Sequence, residues 1–206
     1  MQKLYGAPGW GSAISEIMFT LADEAYQLVD VTGFDKPGPA RERLLAVNPL
    51  AQVPTLVRAD GSVMTETAAI ALMLLNENPH LAPSAGTPQR QQFYRLLIWL
   101  VANVYPTLTY GDYPARWVNT APEELESSTD RYRESLYLWL ESQAGEGPYW
   151  FGEQVSLLDA YFPVIMCWRP RKAWFEQHTP KLVQIAENVR SLPVLERVVG
   201  ANQLKT

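Results

Sequence analysis

The chain of 206 residues has a single cysteine, Cys167, so no internal disulfide can form and no cluster of thiolates can hold zinc. Histidine is nearly as scarce. His80 follows Pro79 and His178 precedes Thr179-Pro180, both turn-like settings, and this poor ligand set points to no metal site. Long apolar runs are missing too: none approaches the roughly 20 residues that span a bilayer, and the opening MQKLYGAPGW lacks the apolar core of a secretion signal. Basic charge is in the minority, with Lys+Arg at 17 against Asp+Glu at 22 and a formal net charge of -5. The cations are scattered, which argues against a phosphate backbone as partner. The expectation is a cytoplasmic protein with neither a membrane nor a nucleic-acid partner.

What is present suits a folded chain. Hydrophobic residues make up 47% and charged residues 19%, ordinary globular values, and the length allows one large domain or two small ones. Lys3 to Gly6 reads as a short buried strand running into the turn residues Ala7-Pro8-Gly9. From Ser12 the apolar residues Ile14, Ile17, Met18 and Leu21 recur at helical spacing, with Ser12 as candidate N-cap. Tyr26 to Val31 alternates as a second strand, which makes a parallel βαβ unit. A Gly/Pro-rich loop leads to a short helix over 41–47, stopped by Asn48-Pro49. Val53 to Arg58 and Ser62 to Met64 flank an Asp60-Gly61 turn as a hairpin, and a helix runs from Glu66 to about Asn76.

Residues 79–88 concentrate Pro, Gly, Ser and Thr and read as a linker between a domain at 1–78 and another at 89–206. No convincing strand follows. Helical stretches over 89–105, 123–143, 156–168 and 182–188 predict an all-helical bundle.

Two segments carry the most specific signal. Asn48-Pro49-Leu50-Ala51-Gln52-Val53-Pro54-Thr55-Leu56 resembles the part of the bacterial glutathione S-transferases in which a cis-proline follows a valine at the start of a hairpin. Such a bond turns the preceding backbone outward, so that Val53 can pair with an extended peptide as with an added strand. The alternative is that Pro54 merely starts an edge strand. Thr65-Glu66-Thr67 resembles the family's acidic-hydroxyl pair, set where a helix N-terminus offers unpaired N–H groups to a carboxylate. Taken alone the tripeptide reads better as a plain N-cap with a dipole-compensating acid, and the short hairpin after Val53-Pro54 turns the reading toward the ligand role. Ser156-Leu157-Leu158-Asp159 resembles the hydroxyl-x-x-acid capping box of the family's second domain, a folding element.

The resemblance implies an α/β thioredoxin-like N-terminal domain (β-α-β-α-β-β-α) followed by an all-α helical bundle domain. It also implies glutathione as co-substrate, held by Gln52, Val53, Pro54, Glu66 and Thr67, and a homodimer. Where the family usually has Gly and Ser, this chain has Ala51 and Thr67; Ala51 is tolerated if its φ is negative. Members activate the thiol with a Tyr, Ser or Cys near the end of the first strand, but the positions matching the Tyr and Cys of bacterial members are Gly6 and Gly11. Ser12 is then the candidate catalytic hydroxyl and Tyr5 the weaker one. Trp10, Tyr105, Tyr110, Tyr113, Trp117, Trp168 and Arg169 are expected to line the second substrate's pocket, with Arg116 a further cation there. The implied activity is conjugation of the thiolate to small hydrophobic electrophiles. A glutathione-dependent isomerase, dehalogenase or peroxidase, or a non-catalytic binding protein, remain the alternatives.

Overall fold

A computed structural model describes residues 1–204 of the chain. It opens with β1 (Gln2–Gly6), α1 (Gly11–Leu21), β2 (Tyr26–Asp30), α2 (Pro39–Leu45), β3 (Thr55–Val57), β4 (Val63–Thr65) and α3 (Thr67–Glu77). The sheet order is β2-β1-β3-β4. β1 pairs in parallel with β2, which needs the α1 crossover, and antiparallel with β3, which continues into the β4 hairpin. This is the thioredoxin-like arrangement.

Leu4 and Leu56 face each other across β1 and β3, and both are fully buried in a core shared with Ile14, Ile17, Met18, Ile70, Ala71 and Leu74. On the opposite face of the sheet Ala7, Val31, Phe34, Leu44 and Ala51 form a smaller cluster, with Tyr5 and Val53 packed against it. α1 is buried on nearly every side from Gly11 to Phe19. A helix buried all round needs cover on both faces, and the helical part supplies the second one, because Tyr161, Phe162, Ile165 and Val199 belong to the same core.

That part comprises α4 (Pro88–Trp99), a π-helical turn at Leu100–Val104, α5 (Tyr105–Asp112), α6 (Pro122–Gln143), α7 (Phe162–Ile165), α8 (Lys172–His178), α9 (Pro180–Arg190) and α10 (Glu196–Ala201). Sequence periodicity predicts one helix over 89–105; instead it changes register just before Tyr105. The cause is Pro106, which has no N–H for an ordinary helical bond and whose ring would strike the carbonyl four residues back. The widened turn absorbs this, with the Tyr105 amide donating to Leu100 O. The stretch expected as a helix over 156–168 is also interrupted. A 3-10 turn at Asp159–Tyr161 leads into the four-residue α7.

Two buried polar groups fix the helical part. Arg133 pairs with Asp130 at 3.0 Å and donates to Thr107 Oγ1 and Thr107 O, tying α6 to α5. Asp159 accepts from Trp150 N–H, Ser156 N–H and Ser156 Oγ at 2.7 to 2.8 Å. The reciprocal half of a capping box is therefore present, while the Ser156 hydroxyl donates to the carboxylate rather than capping an amide. Burial outweighs these donors and pushes the Asp159 carboxyl up to about 6. A raised folded value means that the group's contribution is complete below the ordinary carboxylate range and is lost as pH rises through the folded value. Asp159→Asn turns an amide toward N–H donors and should cost about 1–3 kcal/mol. In urea titrations its deficit against the native protein should be wider at about pH 4 than at about pH 7; an equal deficit at both would defeat that sign.

Candidate active site

Between the sheet and α5 lies a cleft of about 780 Å³. One wall is the loop after β1 (Pro8, Gly9, Trp10) with the start of α1; the floor is Ala51 to Pro54 and Thr65 to Thr67; the far wall is Tyr105 to Arg116 with Trp168. The Val53-Pro54 bond is cis. Val53 precedes β3 and its N–H and C=O find no partner among the described residues, so both remain available to an incoming strand. Behind it Asn48 Nδ2 donates to Thr55 Oγ1 and to Gln52 O, and Thr55 Oγ1 donates to Gln52 O. These bonds hold the turn that presents Val53.

Facing this edge is the N-terminus of α3. Its first amide to bond within the helix is Ile70, to Glu66 O, which leaves the amides of Thr67, Ala68 and Ala69 open, as at any helix start. Glu66 is exposed and sits at φ 67, a left-handed conformation that costs a non-glycine residue about 1 kcal/mol or more. Thr67 is buried, and its Oγ1 accepts from Tyr161 Oη at 2.9 Å. That bond ties the start of α3 to the helical part. Sequence reasoning placed Thr67 there but missed Tyr161, which is 94 residues away in the chain.

Ala51 departs from expectation. Its φ is +48, the region in which a Cβ is unfavourable. The methyl is buried against Ala7, Val31, Phe34 and Leu44, and burial on the order of 0.8 kcal/mol offsets much of the cost.

Neither candidate catalytic hydroxyl reaches the cleft. Ser12 is fully buried; its Oγ donates to Ala7 O at 3.1 Å and accepts from Ala7 N–H at 3.0 Å. Its bonding capacity goes into closing the β1-α1 loop, so it braces that loop. Tyr5 lies in mid-strand, paired with Val29 and Thr55, and packs on the smaller apolar cluster. Glycine at position 6 is a condition of the bracing, since a Cβ there would come within 2.7 Å of Ser12 Cβ and Oγ.

Of the residues expected around the second substrate, Trp10, Tyr105, Tyr110, Tyr113 and Trp168 line the cleft; Trp117 and Arg169 do not. Trp117 stacks edge-on against Tyr110 from outside and donates to Thr109 O. Arg169 is consumed by Glu126, at 2.6 Å, and by Asp130. Arg116 does line the cleft, with its guanidinium 4.0 Å over the Tyr113 ring. Phe34, edge-on to Trp10 at 4.8 Å, and Asp112 also line it. Burial raises the Asp112 carboxyl, with Arg133 and Arg169 opposing that shift. No single stretch of sequence announces either residue.

Comparison with known proteins identifies the family. The sequence signature described as "Glutathione S-transferase, N-terminal domain" matches residues 15–77. The uncharacterized GST-like protein YncG of Escherichia coli K12 is 53% identical over 204 residues, spanning 99% of this chain and 100% of that protein. The chain belongs to the glutathione S-transferase family. Another member, glutathione S-transferase stcT of Emericella nidulans, is 30% identical over 78% of this chain and 75% of its own. Among solved structures, a glutathione transferase homolog from Sulfitobacter superposes with a TM-score of 0.80 at 24% identity, over 97% of both chains. A glutathione transferase from Methylococcus capsulatus Bath gives 0.77 at 24% over the whole of both.

Within this transferase fold the loop bracing can be tested directly. Gly6→Ala should destabilise the chain by about 1–3 kcal/mol through overpacking against Ser12. In a Ser12→Gly background the same substitution should cost far less, because the opposing Cβ and Oγ are gone. Chemical denaturation of the four proteins gives the coupling energy, and additivity would remove the contact from the account.

Proposed function

We propose that this family member is a glutathione transferase that joins the thiolate of glutathione to small, hydrophobic electrophiles. The carrying observation is the free backbone of Val53 beside a cis Pro54, set opposite the open N-terminus of α3. Glutathione is an extended tripeptide with a carboxylate and an ammonium at its γ-glutamyl end. Its cysteinyl residue would pair with Val53 as an added strand. The γ-glutamyl carboxylate would take the open α3 amides and the Thr67 hydroxyl, and Glu66 would pair with the ammonium. Exposed Gln52 lines the cleft floor, where it would meet the glycyl end. The Sulfitobacter homolog, which carries bound glutathione, supports the same reading.

For the second substrate, the aromatic wall of Trp10, Phe34, Tyr110 and Tyr113 favours a flat apolar molecule, with Arg116 at hand for an electron-rich substituent. The protein is cytoplasmic in this reading; among the described residues no helix is long and apolar enough to cross a membrane.

Glu66→Ala should leave the ligand's ammonium unpaired and weaken glutathione binding by about 1–3 kcal/mol, roughly tenfold or more. Titration calorimetry on the native protein and the variant reads this, and equal affinities would send the γ-glutamyl end elsewhere.

The active form is proposed to be a homodimer. Leu50, Val63, Tyr94, Ile98 and Leu138 leave large apolar side chains in solvent, more readily understood if a second copy covers some of them. Light scattering should return twice the 23.2 kDa chain mass; a particle of one chain mass at micromolar concentration would refute the dimer.

A further inference from the structure

Two arginines line the cleft, Arg41 and Arg116, and they are employed differently. Arg41 donates from Nη1 to Phe34 O at 3.1 Å and so braces the loop after β2. Arg116 is exposed, and among the described residues its guanidinium joins no ion pair. What holds it is the Tyr113 ring, with the guanidinium carbon 4.0 Å from the ring centre.

That placement is built into the backbone. Pro114 opens a 3-10 turn over Pro114–Arg116, and Arg116 N–H donates to Tyr113 O at 3.0 Å. In such a turn side chains three residues apart eclipse one another, which brings Arg116 over Tyr113. The turn is in its turn pinned to α5, because Trp117 Nε1 donates to Thr109 O at 3.1 Å and the Trp117 ring meets Tyr110 edge-on. A ring face attracts the cation's charge but satisfies few of its five N–H donors. Those donors are therefore held at the cleft, in place before a ligand arrives. The acids that share the cleft, Asp35, Glu66 and Asp112, do not take them: none forms an ion pair with Arg116, and Asp112 interacts instead with Arg133, Arg169 and Arg171.

We infer that Arg116 is the anion-recognising residue of the second-substrate site, and that the electrophile is a flat aromatic molecule carrying a carboxylate. This deepens the glutathione transferase reading above and rests on it. The carboxylate fits the forked donors of a guanidinium two by two, while the ring of the same molecule lies against the aromatic wall of Trp10, Phe34, Tyr110 and Tyr113. A chain of net charge -5 offers an anion no general attraction, so any preference for one has to come from a local cation. The carboxylate takes no part in the bond changes. The thiol proton leaves to water, the sulfur electron pair forms the S–C bond at the activated ring carbon, and with an aryl chloride the chloride departs with the pair of the bond it breaks.

The probes are dinitrobenzoate and its neutral counterpart dinitrobenzamide, neither of which can react, titrated by calorimetry into the protein without glutathione. The native protein should prefer the benzoate by about tenfold, the usual weight of a charge-assisted pair of hydrogen bonds, and the preference should shrink as salt is added. Arg116→Gln should abolish it. Arg116→Lys, which keeps the charge without the fork, should restore part of it, a rescue that mere loss of packing on Tyr113 would not give. With the corresponding aryl chlorides and glutathione, the same order should appear in the ratio of kcat/KM for benzoate over benzamide. Equal affinity of the native protein for the two probes, or a preference unchanged in Arg116→Gln, overturns the assignment and leaves the glutathione reading standing. A benzoate preference that Arg116→Gln removes, in a protein that binds no glutathione, upholds the anion site and overturns the transferase reading alone.

Discussion

The backbone of Gly9 is gripped from both sides by the helical part, and the wall of the cleft depends on that grip. Trp168 Nε1 donates to Gly9 O at 2.8 Å, and Gly9 N–H donates to Asn202 Oδ1 at 3.1 Å. Asn202 Nδ2 in turn donates to Glu16 Oε1 on α1, and the other carboxylate oxygen accepts from Tyr26 Oη on β2. One buried carboxylate therefore joins the C-terminal segment, the crossover helix, the edge strand and the β1-α1 loop. Burial raises the Glu16 carboxyl against the pull of Asn202 and Tyr26. Each bond contributes about 1 kcal/mol net, whereas leaving such a group buried and unpaired costs more. The two domains cannot drift apart without orphaning the network, and that sets the width of the cleft.

A division of labour follows. The thioredoxin-like domain contributes mainly backbone to the cleft: the Val53 peptide, the open amides of α3 and a loop punctuated by Gly6, Gly9 and Gly11. The helical domain contributes side chains: Trp168 on the loop carbonyl, Tyr161 on Thr67, and Tyr105 and Tyr113 on the far wall. A backbone edge recognises any extended peptide with little regard to side chains, so it suits the proposed tripeptide. Side chains on a separate domain can vary with the second substrate without disturbing that edge.

What the sequence discloses follows the same line. Val53-Pro54 and Glu66-Thr67 are legible because their chemistry is local: a proline, a turn and a helix start within a few residues of one another. The strand and helix order of the first domain is legible because period-2 and period-3.6 patterns are local too. Ser12 misleads, since a hydroxyl at a helix start looks like a catalytic group until the missing Cβ of Gly6 and the Ala7 peptide are seen to enclose it. Arg169 misleads similarly, its partners Glu126 and Asp130 lying about forty residues upstream. Helices α8 and α10, of 7 and 6 residues, are too short for periodicity to declare, and the break before α7 rests on how Asp159 is gripped by Trp150 and Ser156.

Helix beginnings around the cleft are also unlike those elsewhere. Among helices of eight or more described residues, α4 has the Thr87 hydroxyl accepting from Arg90 N–H and a proline in its first turn. α5, α6 and α9 each carry a proline there, which removes one donor that would otherwise go unpaired. α1 and α3 have neither device; Trp10 and Glu66 precede them without capping an amide. A conventional Ser or Asp at either position would contribute about 1 kcal/mol of stability, but its oxygen would occupy the amides that face the cleft. These are also the two helix starts at which the proposed ligand would place its charges, the γ-glutamyl carboxylate at α3 and the thiolate at α1. The stability forgone at those two ends is then recovered only in the complex, where ligand anions take the place of the missing caps.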